Sequence, residues 1–193
     1  MFKYLTALLA FLGLFALGRS IARQRNPGEV LIINGPFGHR RIILDGPAFA
    51  LPILQKLDCI QLRLQTDRIA SRATHPLSSG ERVFIEGSAQ WTIRKNEQSI
   101  KKTLEELGSD RIDHELFVQE TVMLALREKA SETKLNDLAE APGRFELEVD
   151  TLASGRVSEK GLSLVSFTIE KIQTESGEVI YQRDELPTSN SDH

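Results

Sequence analysis

The sequence predicts an α+β domain, antiparallel strands followed by helices and a closing strand, behind an N-terminal transmembrane anchor. Three observations carry that prediction. Apolar–polar alternation dominates residues 29–94, and helical spacing takes over across 96–159 before alternation returns at 162–172. Strands grouped ahead of helices indicate an α+β arrangement rather than βαβ units. The third observation is the apolar opening MFKYLTALLAFLGLFALG, which runs directly into the basic stretch RSIARQR. A chain of 193 residues suits one domain of ordinary size plus an appendage. The expected division is an anchor with its basic flank at 1–25, the domain at 26–173 and a polar C-terminal tail at 174–193.

The anchor is carried by Tyr4, Leu5, Leu8, Leu9, Phe11, Leu12, Leu14, Phe15 and Leu17. Residues 4–18 would reach only ~22 Å as a helix against a hydrocarbon core of about 30 Å, so a snorkelling Lys3 must extend the span. Two alternatives compete. Ala16-Leu17-Gly18 is a passable signal-peptidase site, and an apolar helix can also lie in the interface. The missing polar face weakens the interfacial reading. Arg19, Arg23 and Arg25 weaken the cleaved one, because cationic flanks resist translocation. The same arginines would set the topology, N-terminus out and domain on the cytoplasmic side in a single-pass membrane protein, and would contact lipid head groups. Charge is partitioned accordingly. Residues 1–41 carry a net +5 and the rest a net −8, although the whole chain shows only −3. A basic segment beside an apolar one favours anionic lipid over nucleic acid.

The strands come first. Residues 29–33 (EVLII) and 39–44 (HRRIIL) flank Asn34-Gly35-Pro36, which predicts an antiparallel hairpin. Asp45-Gly46-Pro47 breaks the chain, and residues 57–69 (LDCIQLRLQTDRI) alternate, with Ile60, Leu62 and Leu64 on one side. HPLSSG (75–80) reads as a turn. Residues 82–94 make a long strand with Val83, Ile85, Gly87, Ala89, Trp91 and Ile93 on one face; its small central residues mark a bulge or a close backbone approach. A short helix follows at 96–107, stopped by Gly108. The next, 110–129, places Leu116, Val122, Met123 and Leu126 near one stripe, adjoined by Phe117 and Ile112. A turn or two at 134–141 leads to Pro142, suited to a first helical turn. That last helix runs to about residue 159 with Phe145, Val149, Leu152, Ala153 and Val157 inward and Gly161 as its cap. In the closing strand Val165, Phe167 and Ile169 alternate with Ser166, Thr168 and Glu170.

Catalytic chemistry finds little support. His39, His75, His114 and His193 are scattered, with no i, i+4 partner of the kind that binds zinc. Glu115 reads as helix surface. Glu86-Gly87-Ser88-Ala89-Gln90 lacks the second glycine of a nucleophile elbow, and Gly35, Gly38 and Gly46 are turn punctuation rather than a phosphate loop. Cys59, the single cysteine, excludes an internal disulfide; in an alternating strand it reads as a packed thiol rather than a nucleophile or a lipidation site. Lys101/Glu105 and Lys102/Glu106 form i, i+4 pairs on a solvated face. No enzyme activity, metal or cofactor is expected.

Several segments resemble a known family. GPAFALPILQKLDCIQLRLQT is similar to the segment that opens the SPFH (band 7) domain of flotillins: turn glycines, an apolar dip ending in Pro52 and Gln55, then an alternating strand. SGERV (79–83) followed by GSAQWTI (87–93) looks like that domain's second long strand after its glycine turn. ETVMLALR (120–127) is similar to the helix before the family's small helical turn, here 134–138, and EKGLSLVSFTIEKIQTESG (159–177) looks like its Gly-led closing strand. The resemblance spans 26–177. It implies an SPFH/band-7-like fold and a non-enzymatic scaffold that sits on membrane lipids, assembles as a homo-oligomer or with other membrane proteins, and binds no nucleic acid. Flotillins carry a long Glu- and Ala-rich coiled coil after the domain; only residues 173–193 follow here, without heptads, which puts large-scale assembly in doubt. Phe37, Phe49, Leu51, Pro52, Ile53 and Leu54, near the anchor in sequence, either dip into the lipid interface or pack beneath the sheet. Two other functions stay open: regulation of an integral membrane protease or other complex, and an exported α+β binding domain left by signal-peptide cleavage.

Overall fold

Alternation in residues 29–94 resolves into several short strands and one long one. The computed structural model describes residues 21–23, 26–36, 39–46, 48–50, 55–70 and 74–183, with the backbone alone at 21–23, 48 and 49. These residues divide into two units. The first contains those up to Arg63 together with Ile93–Arg111; the second contains Leu64–Thr92 and those from Ile112 onward.

In the first unit, β1 (Ile21–Arg23) pairs with β4 (Ala48–Ala50), while β2 (Glu29–Asn34) lies between β3 (Arg40–Ile43) and β5 (Lys56–Gln61). All these pairings are antiparallel, as the hairpin turn predicts. From Glu29 to Ile33 every residue of β2 is buried, the mark of a strand covered on both faces. Leu31 and Ile33 join Ala50 in one core, against which Ile43, Leu57 and Cys59 pack. Helix α1 (Glu97–Glu106) begins where the Asn96 side chain accepts a 2.7 Å bond from the Ser99 N–H, and Gly108 at φ +80° follows its end.

One expectation fails here. The alternating run 57–69 is two strands, because the chain breaks at 62–64. The Leu62 N–H turns back to the Gly28 carbonyl at 2.6 Å, and Arg63 reaches the Pro27 carbonyl at 3.3 Å. Leu64, expected to face inward with Ile60, is 54% exposed. Alternation is a local signal and cannot report that a strand changes sheets.

In the second unit, β8 (Arg82–Ile93) carries β6 (Gln65–Ala70) and β7 (His75–Pro76) along one edge and β9 (Leu162–Thr174) along the other, with β10 (Val179–Gln182) outermost. Val83, Ile85, Gly87, Ala89, Trp91 and Ile93 are all buried, as alternation predicts. The β6–β8 register runs unbroken past Gly87, so the small residue marks a close approach and not a bulge. A Cβ built there would overlap the Thr168 carbonyl oxygen and meet the Phe167 ring at 3.1 Å. The indole N–H of buried Trp91 donates to the buried Asp67 carboxylate.

Helices α2 (Arg111–Glu132), α3 (Leu135–Glu140) and α4 (Pro142–Ser158) complete this unit. The α4 stripe Phe145, Val149, Ala153 and Val157 is buried, and Gly161 turns the chain into β9 at φ +84°. On α2 the buried stripe is rotated from the expected one: His114, Val118, Thr121, Val122, Ala125, Leu126 and Ala130 face inward, while Ile112 and Leu116 are exposed. The buried stripe includes polar residues, the Thr121 hydroxyl being satisfied by the Phe117 carbonyl at 2.7 Å. In β9 burial slips phase between Leu164 and Phe167, so that Val165, expected inward, is exposed. The polar tail expected from residue 174 is also corrected: Gly177 at φ +93° turns the chain and β10 pairs back onto β9.

Candidate membrane-facing site

The β1–β4 ladder fixes where the apolar segments enter the domain. Its register pairs Ile21 with Ala50 and Arg23 with Ala48. In an antiparallel pair the start of one strand lies beside the end of the other. Strand β1 starts directly after residues 1–20, and β4 ends directly before Leu51. The points where the N-terminal segment and the 51–54 segment join the fold are therefore neighbours. Ala50 is itself buried against Leu31 and Ile33, which ties this end of the ladder to the first unit's core.

A second junction lies close by along the chain. Asn34 pairs with Arg40 across one edge of β2 and with Lys56 across the other, forming a single rung. The hairpin containing Phe37 leaves from this rung between Asn34 and Arg40, and the 51–54 segment returns to the sheet one residue before it. Five residues separate Ala50 from Lys56, so the two junctions are at most about 21 Å apart. Polar bonds knit the rung: Asn34 Nδ2 donates to Asp58 Oδ2 at 2.8 Å, Arg40 Nε donates to Asn34 Oδ1 at 3.2 Å, and Lys56 Nζ lies 3.0 Å from Asp58 Oδ1. A cleft of about 440 Å³ opens here, lined by Asn34, His39, Arg40, Lys56 and Asp58 and by Gly108 and Ser109 after α1. The sequence alone does not single out this rung, because Lys56 and Arg40 meet only through the register of β2.

The residues considered for catalysis are dispersed. His39 is exposed at the hairpin base, where its carbonyl accepts from the Gly35 N–H at 2.7 Å. His114 is buried with its ring edge-on to Trp91, the centroids 6.4 Å apart. His75 is buried in β7 beside a second cleft of about 610 Å³, which Arg82, Glu120 and Arg127 also line. Burial, and secondarily the charge of Arg127, hold its imidazole below the ordinary histidine range. Glu115 accepts from Gln119 on the same helix, Glu86 pairs with Arg68 at 2.9 Å, and Cys59 is a half-buried free thiol. Lys101 and Glu105 pair at 3.9 Å on α1. Among the described residues no group of three His, Cys, Asp or Glu could hold a metal ion.

Residues 23–183 match the family model of the SPFH domain / Band 7 family. The chain belongs to that family. The chain is also similar to the flotillin-like protein FloT of Bacillus subtilis (strain 168), at 26% identity over 168 residues. That alignment covers 80% of this chain and 33% of the relative, so the chain spans about a third of that protein's length. The matched segment starts at Arg23, the last residue of β1, and ends at Arg183; it thus takes in β4 and the β9–β10 hairpin.

The expected lipid-facing residues lie largely outside the described ones. This holds for the anchor residues between Tyr4 and Leu17, for Arg19 and Arg25, for Phe37 and for Leu51, Pro52, Ile53 and Leu54; of Arg23 and Phe49 the backbone alone is described. Among the described residues no helix is long and apolar enough to cross a membrane.

Proposed function

We propose that this SPFH domain works as a membrane-anchored, non-enzymatic scaffold that self-associates and organises lipid or partner proteins. In this reading residues 4–17 form the single-pass anchor, Arg19, Arg23 and Arg25 hold the domain on the cytoplasmic side, and Phe37, Phe49 and the 51–54 segment enter the interface. The supporting observation is the Ile21–Ala50 register, which joins the most apolar segment and the FALPIL loop to the fold at one end of one ladder. An apolar loop beside a membrane anchor has a short path to the lipid, and apolar burial there is worth about 25 cal/mol per Å².

The test attaches an environment-sensitive fluorophore to the thiol of an Ile53→Cys variant, in a Cys59→Ser background, with the full chain reconstituted into vesicles. Insertion predicts a blue-shifted emission that lipids with brominated acyl chains quench. Emission that brominated lipid leaves unquenched would place the loop beneath the sheet and overturn the reading.

A further inference from the structure

We propose that the cleft at the Asn34–Arg40–Lys56 rung binds the phosphate of an anionic phospholipid headgroup; this rests on the membrane-facing reading above. Two cations converge there through β-sheet register rather than through sequence proximity. Arg40 and Lys56 flank Asn34 on opposite edges of β2, and His39 adds an imidazole at the mouth. Among the described residues Arg40 commits only its Nε, at 3.2 Å from Asn34 Oδ1. Its two Nη groups form no hydrogen bond or ion pair with another described residue, and a guanidinium fork of that kind fits phosphate bidentately.

Lys56 is held by Asp58 at 3.0 Å, but its side chain is 79% exposed. The Asp58 side chain is only 21% exposed, so a phosphate would share the solvent-facing ammonium with that carboxylate rather than displace it. Asp58 would not be left unpaired, because it also accepts from Asn34 at 2.8 Å. The far wall, Gly108 and Ser109, follows the C-terminus of α1, whose carbonyl end carries the helix's negative partial charge. Carbonyls suit a headgroup with hydroxyl donors, such as phosphoglycerol, better than one with a second anionic group. Location agrees with the chemistry: the rung is the point from which the Phe37 hairpin leaves and to which the 51–54 segment returns.

The experiment titrates the full chain, in mild non-ionic detergent, with dioctanoyl phosphatidylglycerol. Dioctanoyl phosphatidylcholine and inorganic phosphate form parallel arms, and the Arg40 Nε–Hε signal is followed by NMR. The expected result is a saturable shift with phosphatidylglycerol at far lower concentration than with phosphate, and none with phosphatidylcholine. Arg40→Gln and Lys56→Gln should each weaken retention of phosphatidylglycerol in native mass spectrometry about fivefold, and Lys56→Arg should restore it. Both residues are exposed, so these variants keep the fold. Saturation by inorganic phosphate at or below the lipid's concentration would assign the cleft to a soluble phosphate and overturn the lipid site. An unmoved Arg40 signal and unchanged retention in both variants would also overturn it. If the fluorophore at position 53 still reports insertion, that failure belongs to the cleft alone; if the fluorophore fails too, the membrane-facing reading fails with it.

Discussion

Gly87 shows how one residue sets the spacing of a sheet. It sits mid-strand in β8, where glycine weakens a strand by its entropy and has no side chain to pack. Its neighbours explain its presence: the Thr168 carbonyl oxygen and the Phe167 ring occupy the space a methyl group would take. Backbone cannot step aside as a flexible side-chain end can. Gly87→Ala should therefore destabilise the domain by about 3 kcal/mol, the upper end of typical overpacking costs, because β8 and β9 must separate locally. Urea unfolding of the variant checks this. A loss below a few tenths of a kcal/mol would mean that the sheet has slack at Thr168. Gly80 is the matched control for the opposite case, since nothing lies within 4 Å of a Cβ there and its φ of +97° is the constraint.

Among the elements, α4 and β9 depend on each other through two carboxylates. Glu146 and Asp150 stand one helical turn apart; Asp150 Oδ1 accepts from the Phe167 N–H and Glu146 Oε2 from the Ile169 N–H, both at 2.9 Å. Glu146 also pairs with Arg183 at 2.8 Å, just beyond β10. The helix thus satisfies backbone donors of β9 ahead of the stretch where β10 pairs, a means of covering a sheet edge. Glu146→Ala should cost about 1 kcal/mol or more by leaving the Ile169 N–H unmet. Asp150→Asn should behave differently. Burial, opposed by the Phe167 bond and reinforced by Glu146, raises the Asp150 carboxyl above its usual range. Its contribution to stability is therefore full below the ordinary aspartate pKa and is lost as pH rises through the folded value. The asparagine variant keeps the acceptor without the charge, so its stability relative to the parent should climb across that window. Chemical denaturation at pH 3 and pH 7 reads the difference, and a flat difference would sink this account. Such cross-element contacts are also the least legible part of the sequence. The long β8 face, the hairpin of β2 and β3, and the α4 stripe all follow from periodicity, because each buries a face whose period is local. The break at 62–64, the rotated face of α2 and the return of β10 do not, because each depends on a partner distant in sequence. The candidate site divides the same way: the apolar 1–18 and 51–54 segments are visible as composition, while the Ile21–Ala50 and Asn34–Arg40–Lys56 alignments need the register.

For the whole molecule, the proposed scaffold function and the uneven charge together predict that lipid binding and self-association respond oppositely to salt. Residues 1–41 carry a net +5 and the remainder −8. The basic part is attracted to an anionic bilayer, and that attraction decays within a Debye length of about 8 Å at physiological ionic strength. Copies standing side by side on one membrane instead bring their acidic parts together, and like charges oppose that approach. Raising salt should therefore loosen the hold on anionic lipid while promoting assembly of the scaffold. Native mass spectrometry of the untagged full chain, extracted in mild detergent and equilibrated at low and moderate ammonium acetate, reads chain mass and stoichiometry together. The expected outcome is a full-length chain in multi-copy particles whose share grows with salt, with fewer retained anionic lipids per copy. Full-length monomer at every ionic strength would remove self-association from the proposed function and leave a membrane-bound domain that acts on other proteins. A soluble monomer shortened near Gly18 would remove the anchor as well, and with it the reason for the apolar loop and the basic flank to share one end of the fold.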